Sequence, residues 1–432
     1  VERILHEAMK AAEEAEVFCV VAEETPVQFE ANRLKHVQSK QITSVALRIK
    51  NNGKIGYATA TNLKEYKNIV NSALETAEFG MKAEFDFPEA SDYPEIKTYD
   101  PAVKRLTVEE MSELGTQLIE TVRSGTPELQ CEAVVSKSLV TVRLMNSRGG
   151  KAEHRHSVFG IGIEGQIVTG TDMLFIGDSQ ESCHPVSDIS EITAVVLQQL
   201  EFSRKQASVN TGEMPVIFTP RGLASALISP LMAGFNGKIV LEGSSPIGNK
   251  TGQNVFNDNF SLYDDPCIDY QPGSRPCDDE GIPSQRTPLV EQGTIRQFLY
   301  DLQTAAQAGT QSTGNGERNG GLPSPSPSAF IISPGSTSFE DMIADINEGL
   351  IVEQLMGASQ GNVLGGDYSG NVLLGYKIEK GRVVGRVKDT MVSGNIYRDL
   401  KNIVSIGSET TWVGGFLQTP PIYFSNISVA GK

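Results

Sequence analysis

Near residue 208 the chain changes texture, and that change excludes a single uniform architecture. Before it, helical and strand-like periodicities alternate; after it, helices are scarce and Gly, Pro, Asn and Ser dominate the connections. A chain of 432 residues also exceeds the roughly 100–200 residues of one domain. Two domains are therefore expected: an N-terminal α+β domain over 1–208 and a β-rich C-terminal domain over 209–432.

In the first part, Ile4, Leu5, Ala8, Met9 and Ala12 recur with helical period. "VFCVVA" (17–22) and "TSVALRI" (43–49) read as strands, and "NNGKIG" (51–56) supplies an Asn-Gly hairpin turn. Helices are expected at 62–80, 107–124 and 187–206. Strands are expected at 132–136, 139–145 and 156–165, with "NSRGG" (146–150) as a turn. Helices packed to one side of antiparallel hairpins define the α+β class. In the second part, "PVIFTPRGLASALISPLMAGFNG" (215–237) reads as a strand entering a helix, and a further helix is expected at 338–347. Residues 309–328, "GTQSTGNGERNGGLPSPSPS", have the composition of a long flexible loop. It is expected to be mobile without a bound peptide, or held by groove walls, and to be the first site of proteolytic nicking. The tail turns a hairpin at Glu379-Lys380-Gly381.

Charge and cysteine usage narrow the function. A net charge of −16, from 37 basic and 53 acidic residues, repels phosphate backbones and anionic lipid, which argues against direct nucleic-acid or membrane binding. Five scattered cysteines without a C-x-x-C pair suit free thiols in a reducing compartment. The apolar run at 17–22 is far shorter than the ~20 residues of a membrane span, and the first fifteen residues lack a signal-peptide core. A cytoplasmic location is expected.

No self-sufficient catalytic constellation emerges. "HEAMK" (6–10) begins like a zinc-binding helix but places Lys10 where a second imidazole belongs. His154 and His156 can share one strand face, yet two ligands without a third make a poor catalytic site. "GASQG" (357–361) matches a nucleophile-elbow pattern around Ser359, but helix-like residues precede it, strand-like ones follow, and no histidine lies beyond His184. Residues 309–316 lack the Gly-Lys-Ser/Thr ending of a phosphate loop. The acidic stretch 263–281 lacks calcium-loop spacing and reads as a solvated turn region. On the helix at 223–232, the i,i+4 pairs are Leu223 with Leu227, Leu227 with Leu231, and Ile228 with Met232. These faces are apolar.

Several strings nevertheless carry a resemblance. "PCDDEGIPSQRTPLVEQGTIRQFLYDLQTAAQAGTQSTGNG" (276–316), "GLIVEQLMGASQGNVLGGDYSG" (349–370) and "IEKGRVVGRVKDTMVSGNIYRDLKNIVSIGSE" (378–409) resemble the TldD/TldE (PmbA) family. "SVALRIKNNGKIGYATATNL" (44–63) and "LMNSRGG" (144–150) fit it more loosely. The family is described as peptidases that mature or degrade small peptides, and historically as modulators of DNA gyrase. Its TldD-like branch carries an HExxxH zinc helix and a later cysteine ligand; its TldE/PmbA-like branch lacks them. Here residues 223–232 sit where that helix would be, and no cysteine follows Cys277. The resemblance therefore implies a TldE/PmbA-like chain with no catalytic residue, metal ligand or cofactor site of its own. It implies a TldD-like zinc protease subunit as partner, an extended or unfolded peptide as substrate, and a homodimer in isolation. Restoring Leu227→His with Leu231→His should then create no activity. A standalone regulatory protein is the alternative, and an enzyme of unrecognised chemistry the third reading.

Overall fold

The computed structural model describes residues 1–61 and 66–431. The first layer is an antiparallel sheet of long strands: β1 (Glu14–Glu30), β2 (Arg33–Val37), β3 (Lys40–Asn51), β4 (Lys54–Ala60), β5 (Gln130–Asn146), β6 (Lys151–Thr169) and β7 (Asp172–Ser182). Their order is β4-β3-β1-β5-β6-β7, with β2 folded onto β1. Asn52 and Gly53, with φ of 51° and 68°, make the two-residue turn that fixes the β3–β4 register. Two expected strands, 132–136 and 139–145, are one. Lys137 and Ser138, which look like an interruption, pair with Phe159 and Val158 in an unbroken ladder.

The helices of this half are α1 (Glu2–Ala8), α2 (Tyr66–Glu78), α3 (Pro101–Arg105), α4 (Val108–Arg123) and α5 (Ser190–Phe202). The start of the helix expected from residue 62 lies outside the described residues. A capping box starts α4: Glu110 N–H donates to Thr107 Oγ1 (3.1 Å) and Thr107 N–H donates to Glu110 Oε2 (2.8 Å). Strand alternation sends Val17, Cys19, Val27 and Phe29 of β1 to the face where Ile69, Val70, Met111 and Leu118 of α2 and α4 pack. The intervening Phe18, with Ala46, Leu144 and Ala152, faces the other way and meets Cys277 of the second half. The seven-stranded sheet thus has one face covered by the helices of this half and one face free of them, called the helix-free face below.

Residues 206–430 form an eight-stranded sheet, a six-stranded sheet and a small two-stranded one. Strand Gly212–Phe218 lies parallel to Glu348–Met356 and antiparallel to Ile422–Ala430. Around them Phe218, Leu231, Phe235, Phe260, Phe330, Val352 and Phe424 form the main core. With its strand-rich sheets and segregated helices, the molecule is α+β. Among the described residues no helix is long and apolar enough to cross a membrane.

Four local expectations are corrected. The helix at 223–232 is two: α6 (Pro220–Ala226) and α7 (Ile228–Phe235). Pro230 has no N–H to give the Ala226 carbonyl, and its ring crowds that carbonyl. Ser359 is preceded by the strand Glu348–Met356, not by a helix, and sits in a single 3₁₀ turn. The acidic stretch 263–281 is not solvated, since Asp264, Asp278 and Glu280 are at most 2 % exposed. Nor is 309–328 a flexible loop: Gly316–Glu317 pairs with Ser324–Pro325, and the buried carboxylates hold this hairpin. Asn315 Nδ2 donates to Asp264 (2.6 Å) and Gly316 N–H to Asp278 (2.8 Å). Composition hid the hairpin because its anchors are polar and come from elsewhere in the chain.

Candidate functional site

A charged seam first fixes the second half on the helix-free face. Glu16 of β1 and Arg48 of β3 are neighbours across the ladder, both inward and almost fully buried. Arg48 Nη2 lies 2.9 Å from Glu16 and Nη1 lies 2.5 Å from Glu280. Its guanidinium is flanked by the Phe85 and Phe87 rings at 4.7 and 5.0 Å. Arg318, in the turn of the 316–325 hairpin, also pairs with Glu16. Burial pushes the Glu16 carboxyl upward, against the pull of Arg48 and Arg318. The one sequence signal was an arginine within the apolar strand "TSVALRI".

Beside this seam a cleft of about 630 Å³ opens between the helix-free face and the second half. From the sheet come Val142, His154, His156, Val158 and Glu181. From the other side come Met232 of α7, the chain at 272–275, Glu317, Ser328 and the Gly414-Gly415 turn. The histidine pair noted in sequence does share one face, because alternate residues of β6 point together. His156 Nε2 lies 2.9 Å from the Pro272 carbonyl. A carbonyl only accepts, so Nε2 carries the proton and Nδ1 keeps its lone pair. Burial, with the other imidazole and Arg275 nearby, pushes His154 down to about 4; burial and Arg275 do the same for His156. Both rings are neutral at pH 7. Their partners in the cleft were illegible from sequence, because residues 272–328 are brought to them by tertiary contacts, the seam and the packing of Cys277 on Phe18 and Leu144 among them.

His6 lies exposed on α1, with Ile4 and Ala8 turned into the core. His184 pairs with Asp100 at 2.7 Å, away from His154 and His156. Leu223, Leu227 and Leu231 are buried at 1–2 % exposure in the main core. Of the positions on α6 and α7, Met232 faces the cleft. A catalytic zinc needs about three nitrogen, oxygen or thiolate ligands. Alkyl groups and one thioether do not supply them. Among the described residues no group of three or more His, Cys, Asp or Glu could hold a metal ion. The residues present do not fit a zinc centre on this helix.

Residues 211–431 match the PmbA/TldA metallopeptidase C-terminal domain and residues 15–77 match PmbA/TldA metallopeptidase domain 1. The chain belongs to the PmbA/TldD family. An uncharacterized protein of Methanocaldococcus jannaschii is 26 % identical over 414 residues, covering 94 % of each chain. The crystal structure of TldE from Thermococcus kodakarensis superposes with a TM-score of 0.91 at 23 % identity, over 100 % of this chain and 99 % of that one. A candidate modulator of a DNA gyrase from Thermotoga maritima gives 0.89 at 21 % identity, covering 99 % of each. At those identities the two structures share the fold.

Proposed function

We propose that this chain is the TldE/PmbA-like subunit of a two-component metallopeptidase. It walls a chamber for extended peptides and leaves the zinc chemistry to a TldD-like partner. The observation that carries this reading is Met232: the family's zinc-helix position faces the cleft with a thioether, while its neighbours are core leucines. Zinc lowers the pKa of bound water to about 7 and polarises a scissile carbonyl. Among the described residues no group of His, Cys, Asp or Glu offers an equivalent ligand set. The open sheet face supports the reading. Val20, Val140, Val142 and Val158 are only half-buried and Ile42 is 43 % exposed, an apolar wall that a second chain would close.

The test is hydrolysis of an unfolded peptide by this chain, by a TldD-like partner and by the mixture, each with and without chelator. The mixture is expected to cleave faster than the partner alone, and this chain alone not at all. Chelator-sensitive cleavage by the isolated chain would sink the proposal. A partner unaffected by mixing would move the reading to a standalone regulator. Leu227→His with Leu231→His should remain inactive, because both side chains enter the core.

A further inference from the structure

The cleft is a built polar site whose charges do not cancel. Its cation, Arg275, faces Asp279 at 3.6 Å through Nη1, while its buried Nε and Nη2 have no hydrogen-bond partner and can donate to ligand carbonyls. His154 and His156 are neutral. Glu181, exposed at the mouth, and Glu317, half-buried, both line the cleft. Among the described residues neither has an ion-pair partner. Counted by formal charge, the lining therefore carries an excess of two carboxylates over cations.

A second set of atoms points to a ligand independently of charge. Ser274 is fully buried and Ser328 is 8 % exposed. Both line the cleft, and both hydroxyls lack a hydrogen-bond partner, as do the Nδ1 atoms of His154 and His156. Burying a polar atom without a partner forfeits its hydration, so these atoms mark where a polar ligand belongs. Hydroxyls can donate to carbonyls and imidazole lone pairs can accept N–H groups. That is the complement of an extended main chain. His154 and His156 are two residues apart on one strand, about 6–7 Å, which is also the repeat of like-facing N–H groups in an extended peptide.

We propose that this cleft selects extended peptide segments bearing a basic side chain, whose lysine or arginine head lies between Glu181 and Glu317 while the main chain meets the serine and histidine groups. The inference rests on the chamber reading above and adds a substrate preference to it. Charge complementarity of this kind sets specificity more than raw affinity.

The test uses the full chain and three labelled decapeptides, identical except for a central lysine, norleucine or glutamate, with binding read by fluorescence anisotropy at low and moderate salt. The lysine peptide is expected to bind about ten-fold more tightly than the glutamate peptide, with the gap shrinking as salt rises. Glu181→Gln with Glu317→Gln, at partly open positions where folding is undisturbed, should weaken the lysine peptide about five-fold and leave the norleucine peptide unchanged. Equal affinity for lysine and glutamate peptides, or no binding of any of the three, overturns the preference. The mixing assay reads the subunit role separately, so acceleration there with charge-blind binding here would remove only this inference.

Discussion

Arg48→Ala is expected to lower stability by about 3–5 kcal/mol, the cost typical of breaking a buried ion network by removing one member. The substitution strands Glu16 and Glu280, both fully buried, without their shared cation, and empties the space between Phe85 and Phe87. Arg318 remains on Glu16, so part of the seam survives and the loss should fall short of unfolding the chain outright. Urea unfolding of wild type and variant at one protein concentration measures it. Combining Arg48→Met with Glu280→Gln should recover much of the loss, because Glu16 keeps its Arg318 partner and no charge is then left buried alone. A loss below about 1 kcal/mol for Arg48→Ala would place the seam in the range of solvated surface pairs.

The second large effect is a pH dependence from His154 and His156. Each folded pKa lies near 4, below the ordinary value of 6.5. The unfolded chain therefore binds more protons than the folded one between those values. Stability from the neutral imidazoles is complete above about pH 6.5 and is lost as pH falls towards 4. At about 1.4 kcal/mol per pKa unit, with allowance for mutual coupling and solvent screening, the pair contributes roughly 3 kcal/mol across that window. Asp264 and Asp301, raised to about 6 by burial, and Glu353, raised to about 7, act in the opposite direction as pH rises. Only the difference between wild type and a His154→Gln, His156→Gln variant isolates the imidazoles. Wild type should lose about 3 kcal/mol more than the variant between pH 7 and pH 4.5. Parallel curves would mean that the rings are solvated.

Legibility from the sequence followed the range of the forces involved. Local chemistry was readable: the Asn52-Gly53 turn and the period of α4 depend on neighbours a few residues away. Composition misled where distant residues supply the partners. The 309–328 segment reads as disordered until Asp264, Asp278 and Glu16 satisfy it. The acidic run 263–281 reads as solvated until Arg48 and the hairpin amides bury it. Within the cleft, His154 and His156 could be paired by strand alternation. Ser274, Ser328 and Glu317 carry no local signature. They reach the cleft through tertiary contacts, the charged seam and the packing of Cys277 among them, and no periodicity encodes that.

The account stands most directly on a metal measurement. The purified full chain, incubated with excess zinc and freed of loosely held ion, should retain only a small fraction of an equivalent on elemental analysis, because Leu227, Ile228, Leu231 and Met232 offer no ligand set. Tight retention of about one zinc per chain, released only by a strong chelator, would contradict the ligandless reading and return the chemistry to this subunit.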